Sequence, residues 1–132
     1  MISGLNHITI AVSNLERSLK FYRDVLGFTA HVKWQNGAYL SVGELWFCLS
    51  YDEPCPKNDY THIAFDIPSD EFEAYSSHIM SLGVKIWKEN QSEGESLYIL
   101  DPDGHKLELH VGSLKSRLET LRAKPYRGLI WL

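Results

Sequence analysis

The chain is poor in cysteine, in long apolar runs and in basic charge, and each shortage removes a class of protein. Two cysteines in 132 residues, Cys48 and Cys55, cannot build a disulfide framework and have no second pair at zinc-finger spacing. Both are expected as reduced thiols, with Cys48 in Leu45-Trp46-Phe47-Cys48-Leu49 reading as a small buried apolar group. No stretch approaches the roughly 20 apolar residues that span a bilayer, and the first residues lack a basic region followed by an apolar core. A cytoplasmic protein with no membrane partner is expected. Thirteen Lys and Arg against 17 Asp and Glu give a formal net charge of -4, which argues against a nucleic-acid partner, because backbone phosphates call for a concentrated basic surface. Any anionic ligand must be met by local positive charge.

What the chain does have is an internal repeat. Asn6-His7-Ile8-Thr9-Ile10 and Thr61-His62-Ile63-Ala64-Phe65 each put a histidine at the head of an apolar run that leads into a helix start. In the first copy Ser13-Asn14-Leu15-Glu16 reads as a capping box, followed by apolar residues at Leu15, Leu19, Tyr22, Val25 and Leu26, with Gly27 as the stop. In the second, Pro68-Ser69 starts a helix with a stripe of Phe72, Tyr75, Ile79 and Leu82, and Gly83 ends it. From His to Gly is 20 residues in one copy and 21 in the other.

After each Gly the pattern turns to short strands, roughly 31–35, 38–42 and 45–51 in the first copy and 84–88, 97–100 and 106–111 in the second. Each copy therefore reads as βαβββ, and the fold class is α+β. Asp101-Pro102-Asp103-Gly104 supplies the turn between the last two strands. The expected organisation is a single domain over 1–132, with modules at about 4–51 and 60–112 and a polar linker at 52–59. A C-terminal helix and tail follow at 113–132, the apolar end of the tail docking on the protein.

Equivalent strands from two pseudo-symmetric modules can bring His7 and His62 to one point. Glu108, a carboxylate inside the apolar run Leu107-Glu108-Leu109, is the candidate third ligand, because an ionised Glu facing a core is costly without a compensating cation. Two imidazoles and a carboxylate suit a divalent metal with positions left open for substrate. His110 shares a strand face with Glu108 and stays a competitor. His105 lies near the turn, His31 and His78 read as structural or surface residues, and Glu44 as a solvated turn charge.

Paired βαβββ units with these ligands resemble the glyoxalase, or vicinal oxygen chelate, superfamily. Gly4-Leu5-Asn6-His7, Gly37-Ala38-Tyr39-Leu40, Asp59-Tyr60-Thr61-His62, Ser92-Glu93-Gly94 and the block from Asp101 to Gly112 resemble the fosfomycin-resistance glutathione transferases, over nearly the whole chain. The resemblance implies a cytoplasmic, domain-swapped homodimer in which Mn2+, or another divalent metal, is held by His7, His62 and Glu108. It further implies fosfomycin and glutathione as partners, with thiol addition opening the epoxide. Phosphonate contacts would come from Thr9, Lys88, Ser92, Ser96, Tyr98 and Arg117. A K+ loop would be formed by Asn90, Ser92, Gly94 and Ser96, glutathione would meet Trp34 and Tyr39, and Thr9, Tyr39 and Arg117 would serve catalysis. Departures from the family pattern fall at Gln91 and at 33–36, where glutathione is expected. Other chemistries on such a scaffold are epoxide hydrolysis with Glu44 as base, transfer of another thiol, extradiol ring cleavage on Fe(II), and metal-free sequestration of an antibiotic.

Overall fold

The computed structural model describes every residue except 92 and 93, so the roles expected of Ser92 lie outside the described residues. The first module runs β1 (His7–Val12), α1 (Leu15–Lys20), a π-helical turn (Phe21–Val25), β2 (Thr29–Trp34), β3 (Gly37–Val42) and β4 (Leu45–Tyr51). The second runs β5 (Ile63–Asp66), α2 (Ser69–Ser81), β6 (Ile86–Lys88), β7 (Ser96–Leu100) and β8 (Lys106–His110), followed by α3 (Leu114–Ala123). Two four-stranded sheets result, ordered β1-β4-β3-β2 and β5-β8-β7-β6, with β1/β4 and β5/β8 parallel and every other pair antiparallel. The repeat read in the sequence is thus a repeat of topology.

Strand alternation sorts each sheet into two faces. Ile10, Val12, Leu40, Phe47 and Leu49 of the first sheet and Phe65, Ile99, Leu107 and Leu109 of the second are buried in one apolar cluster with Leu19, Tyr22, Leu26, Phe28 and Ile79. Phe28 and Phe65 meet edge to face at 5.2 Å across the two modules, which favours the pair beyond the area it buries. The opposite faces carry the histidines and are turned away from this shared core.

Hydrogen bonds between the modules correct one expectation from the sequence. The N-cap of α1 is Asn14, whose side chain accepts from Arg17 N at 3.0 Å, and not Ser13. Ser13 gives its hydroxyl to Asp103 in the β7–β8 turn, and that same carboxylate accepts from Ser13 N at 3.2 Å and Arg17 Nη2 at 3.0 Å. A largely buried carboxylate needs several donors, and it outcompetes a solvent-exposed cap for the Ser13 side chain. Beside it Tyr22 OH donates to Asp101 Oδ2 at 2.8 Å, while Asp101 Oδ1 accepts from the N–H groups of Asp103 and His105 at 2.9 Å each. Gly104, at φ +90°, closes the turn. His105 Nε2 then reaches the Ala11 carbonyl of β1 at 2.7 Å.

The linker is held by Lys106, whose Nζ donates to the carbonyls of Lys57 and Asp59 at 2.8 and 2.6 Å. The tail departs from expectation. Ile130, Trp131 and Leu132 are exposed, and the Arg122 guanidinium lies over the Trp131 ring at 4.6 Å, a cation–π contact.

Candidate metal and anion site

His62 lies just before β5, and Glu108 is central in β8, where the parallel register sets Ala64 opposite Glu108. His62 Nε2 stands 3.9 Å from Glu108 Oε1. The His62 Nδ1 is 2.7 Å from the Tyr60 carbonyl, and a carbonyl only accepts, so Nδ1 bears a proton and Nε2, the nitrogen that carries the lone pair in that tautomer of the neutral ring, faces the carboxylate. Glu108 is buried, yet among the described residues its neighbours are the imidazoles of His62 and His110 at 3.9 and 3.7 Å, with no donor at hydrogen-bond distance. Two ligands of one ion held at bonds of about 2.1 Å stand at most about 4.2 Å apart. The pair therefore fits a divalent cation, which would supply the charge that the buried carboxylate lacks.

His7 has the same chemistry in the other sheet. Its Nδ1 meets Asn6 Oδ1 at 2.7 Å, which again leaves Nε2 as the free lone pair, and a ligand whose other nitrogen is fixed in this way is oriented and made more basic. Its ring stacks on Trp46 at 4.5 Å. Within the single chain, however, no group of three His, Cys, Asp or Glu among the described residues could hold a metal ion. Both histidines lie on faces turned away from the common core, so the chain presents two half-sites.

The first half-site is a cleft of about 220 Å³ lined by His7, Thr9, Trp34, Tyr39, Trp46, Cys48, Leu49 and Ser50. Register explains the grouping: Thr9 pairs with Cys48, which pairs with Tyr39 on its other side. Trp34 packs edge-on against Tyr39 at 4.7 Å. Cys48 is buried as the sequence suggested, and it also lines this cleft.

The second half-site is a row of polar side chains, Glu108 opposite Tyr98 and Tyr98 opposite Lys88. The Lys88 ammonium donates to Tyr60 OH at 2.5 Å and lies 4.6 and 4.8 Å from the ring centres of Tyr60 and Tyr98. The Tyr60 hydrogen bond, with smaller contributions from the charges of Tyr98, Tyr60 and Glu108, raises the Lys88 pKa above its ordinary value. Lys88 is firmly cationic and suited to an anion. Ser96 Oγ lies 2.7 Å from His110 Nδ1, Asn90 Nδ2 donates to the Gly94 carbonyl at 2.9 Å, and Arg117, on α3, donates to Tyr126 OH at 3.0 Å. Trp46, Tyr60 and Trp87, whose ring centre lies 5.6 Å from that of His62, went unassigned in the sequence. Tyr60 was findable, since two residues before His62 in an extended segment it shares that histidine's face.

Residues 4–109 match the model of the Glyoxalase/Bleomycin resistance protein/Dioxygenase superfamily. The chain belongs to this superfamily. Its similarity to particular glyoxalase-superfamily proteins extends over almost its full length. It is 53% identical to the glutathione transferase FosA of Serratia marcescens over 99% of this chain and 96% of that protein. It is 40% identical to the metallothiol transferase FosB of Staphylococcus haemolyticus over 96% of each chain. Its fold matches the fosfomycin resistance protein FosX of Listeria monocytogenes, solved with Mn(II) and sulfate, at a TM-score of 0.83 and 34% identity, over 91% of this chain and 98% of that one. The paired βαβββ sheets are the glyoxalase fold, as the sequence resemblance implied.

Proposed function

We propose that the chain is a metal-dependent glutathione transferase that inactivates fosfomycin by adding the thiol to its epoxide, conferring resistance to the antibiotic. The observation that carries the reading is its 53% identity to the glutathione transferase FosA over 99% of the chain. His62 and Glu108 of one chain, with His7 of a second copy in a domain-swapped homodimer, would hold the divalent ion, Mn2+ in the first instance. A divalent ion held by these residues would supply Lewis-acid stabilisation of the epoxide oxygen as the C–O bond breaks.

The protein's own groups do the rest. Lys88 and Arg117 meet the phosphonate charge by charge-assisted hydrogen bonds, which lets an acidic protein bind an anion, and Thr9, Ser92, Ser96 and Tyr98 supply neutral donors. Tyr39 donates a hydrogen bond from its phenol to the attacking thiolate, the form a free thiol only partly adopts at neutral pH, and Trp34 walls the glutathione peptide. Oxygens of Asn90, Ser92, Gly94 and Ser96 hold K+ beside the anion. The reaction is placed in the cytoplasm, where glutathione is kept reduced. No helix among the described residues is long and apolar enough to cross a membrane.

The test is thiol consumption by the purified protein with Mn2+, fosfomycin and glutathione. Loss of thiol that requires both the metal and the antibiotic is expected, and its absence would end the assignment.

A further inference from the structure

His110 lies two residues after Glu108 on β8 and faces the same side of the sheet, but its ring is turned into the protein by two glycines. A Cβ on Gly112 would stand 3.2 Å from His110 Nε2, and one on Gly94 would stand 3.4 Å from its Cε1. The imidazole is therefore boxed in, with its side chain 21% exposed. Two oxygens approach its Nδ1: Ser96 Oγ at 2.7 Å and Glu108 Oε2 at 3.7 Å. An ionised carboxylate offers only lone pairs, so a lone pair on Nδ1 would face it unfavourably, whereas an N–H there is attracted to both oxygens.

This fixes the direction of the Ser96 contact. A hydroxyl has one hydrogen to give and accepts on its lone pairs. If His110 Nδ1–H donates to Ser96 Oγ, the Ser96 hydrogen is released from the histidine and is free to point elsewhere. Ser96 precedes Tyr98 by two residues on β7, the strand whose Tyr98 sits between Glu108 of β8 and Lys88 of β6, so that hydrogen opens onto the face where an anion between the Glu108 cation site and the Lys88 ammonium would sit. With the opposite tautomer Ser96 would donate to the ring and present only lone pairs to the anion, which would repel it.

We propose that His110 is a positioning residue: by donating Nδ1–H to Ser96 it turns the Ser96 hydroxyl into a hydrogen-bond donor for the anionic group of the substrate. The inference rests on the proposed reading of this site as one that binds a phosphonate beside a divalent metal. His110 is thereby reassigned from competing metal ligand to the residue that sets the polarity of an anion contact.

The test uses the full-length, Mn2+-loaded protein and reads the dissociation constant of fosfomycin without thiol, after Mn2+ binding by each variant has been established from the electron paramagnetic resonance of the free ion. His110→Leu and Ser96→Ala should each weaken fosfomycin binding about tenfold or more, the scale of a hydrogen bond to a charged group. The double variant should be no worse than Ser96→Ala, because both act through one hydrogen bond. His110→Asn, whose amide N–H can stand in for Nδ1–H, should restore most of the affinity. Wild-type affinity in His110→Leu, or additive losses in the double variant, would overturn the proposal. Nitrogen-15 spectra of wild-type protein loaded with Mg2+ read the same point without a variant: Nδ1–H on His110 is expected, and Nε2–H alone would refute it. If the wild-type protein binds no fosfomycin, the proposed function fails, while the tautomer still decides the role of His110.

Discussion

Cys48 occupies in the first sheet the place that Glu108 occupies in the second. Thr9, Cys48 and Tyr39 are register partners in one row, as Ala64, Glu108 and Tyr98 are in the other, and Thr9 and Ala64 each follow their histidine by two residues. The repeat therefore offers two pairs of equivalent positions, His7 with His62 and Cys48 with Glu108, and under the proposed function three of the four would hold the metal. The short Cys48 side chain at the fourth would leave a coordination position for substrate. Cys48→Glu is expected to tighten Mn2+ binding and to abolish turnover by filling that position, whereas Cys48→Ala should keep the metal. Titration of Mn2+ with each variant checks it, and unchanged Mn2+ affinity in Cys48→Glu would show that the thiol does not face the ion.

The two half-sites lead to a complementation test. His7→Ala and Glu108→Ala should each be inactive and fail to hold Mn2+. In a twofold dimer whose sites each combine His7 of one chain with His62 and Glu108 of the other, re-assembly of the two variants makes one intact site per mixed dimer. Co-refolding equal amounts should thus restore roughly a quarter of wild-type activity. Complete inactivity of properly mixed dimers would mean that each site is built from one chain.

Much of this was legible in the sequence for physical reasons that also mark where legibility ended. Helices and strands were readable because Leu19, Tyr22 and Leu26, or Leu107 and Leu109, are buried at the local period of their element. The paired histidines and the buried Glu108 stood out because both break an apolar pattern. Where long-range partners decide a side chain's role, the local pattern failed. Ser13 has the spacing of a cap, but Asp103, 90 residues away, takes it. His7 and His62 are paired by the repeat, but which chain each one serves depends on the faces the shared core turns outward. Tyr60 has no periodicity of its own, and its role emerges only from Lys88 and the Nδ1 of His62.

Tyr60→Phe separates two functions of that residue. The ring and the carbonyl that accepts from His62 are kept, and only the phenol that accepts from Lys88 is lost. Mn2+ affinity should be unchanged, whereas the KM for fosfomycin should rise severalfold as the ammonium loses its anchor. A fall in Mn2+ affinity would show that the phenol, and not the backbone, supports His62.

Burial holds the Asp101 carboxyl above the usual carboxylate range, opposed chiefly by the Tyr22 hydrogen bond, which favours the ionised form. In the folded protein Asp101 thus binds its proton more tightly than in the unfolded chain. Its contribution to stability is greatest below the ordinary carboxylate pKa of about 3.9 and declines as pH rises through the raised folded value. Tyr22→Phe removes the hydrogen bond that supports the ionised form. The loss should be about 1–3 kcal/mol at neutral pH, where a buried charge is left without this donor, and smaller where the carboxyl is protonated. Urea unfolding at neutral and mildly acidic pH compares the two, and an equal loss at both would mean that the Asp101 charge is not what Tyr22 supports.

The nucleophile is decided by which groups surround the His7 cleft. Tyr39 lines it with Trp34 and Trp46, at ring distances of 4.7 and 5.2 Å, so a phenol is in place to steady a thiolate against an aromatic wall. Water as the nucleophile would need a carboxylate base instead. Glu44 is exposed in the turn between β3 and β4, apart from the residues that line the cleft. The expected product in the presence of glutathione is therefore the thiol adduct of fosfomycin, with Tyr39→Phe slowing its formation and Glu44→Gln leaving the rate near wild type. Mass spectrometry of the product checks the first expectation and thiol consumption the second. A diol as the dominant product, together with inactivity of Glu44→Gln, would make the protein an epoxide hydrolase working from the same half-sites.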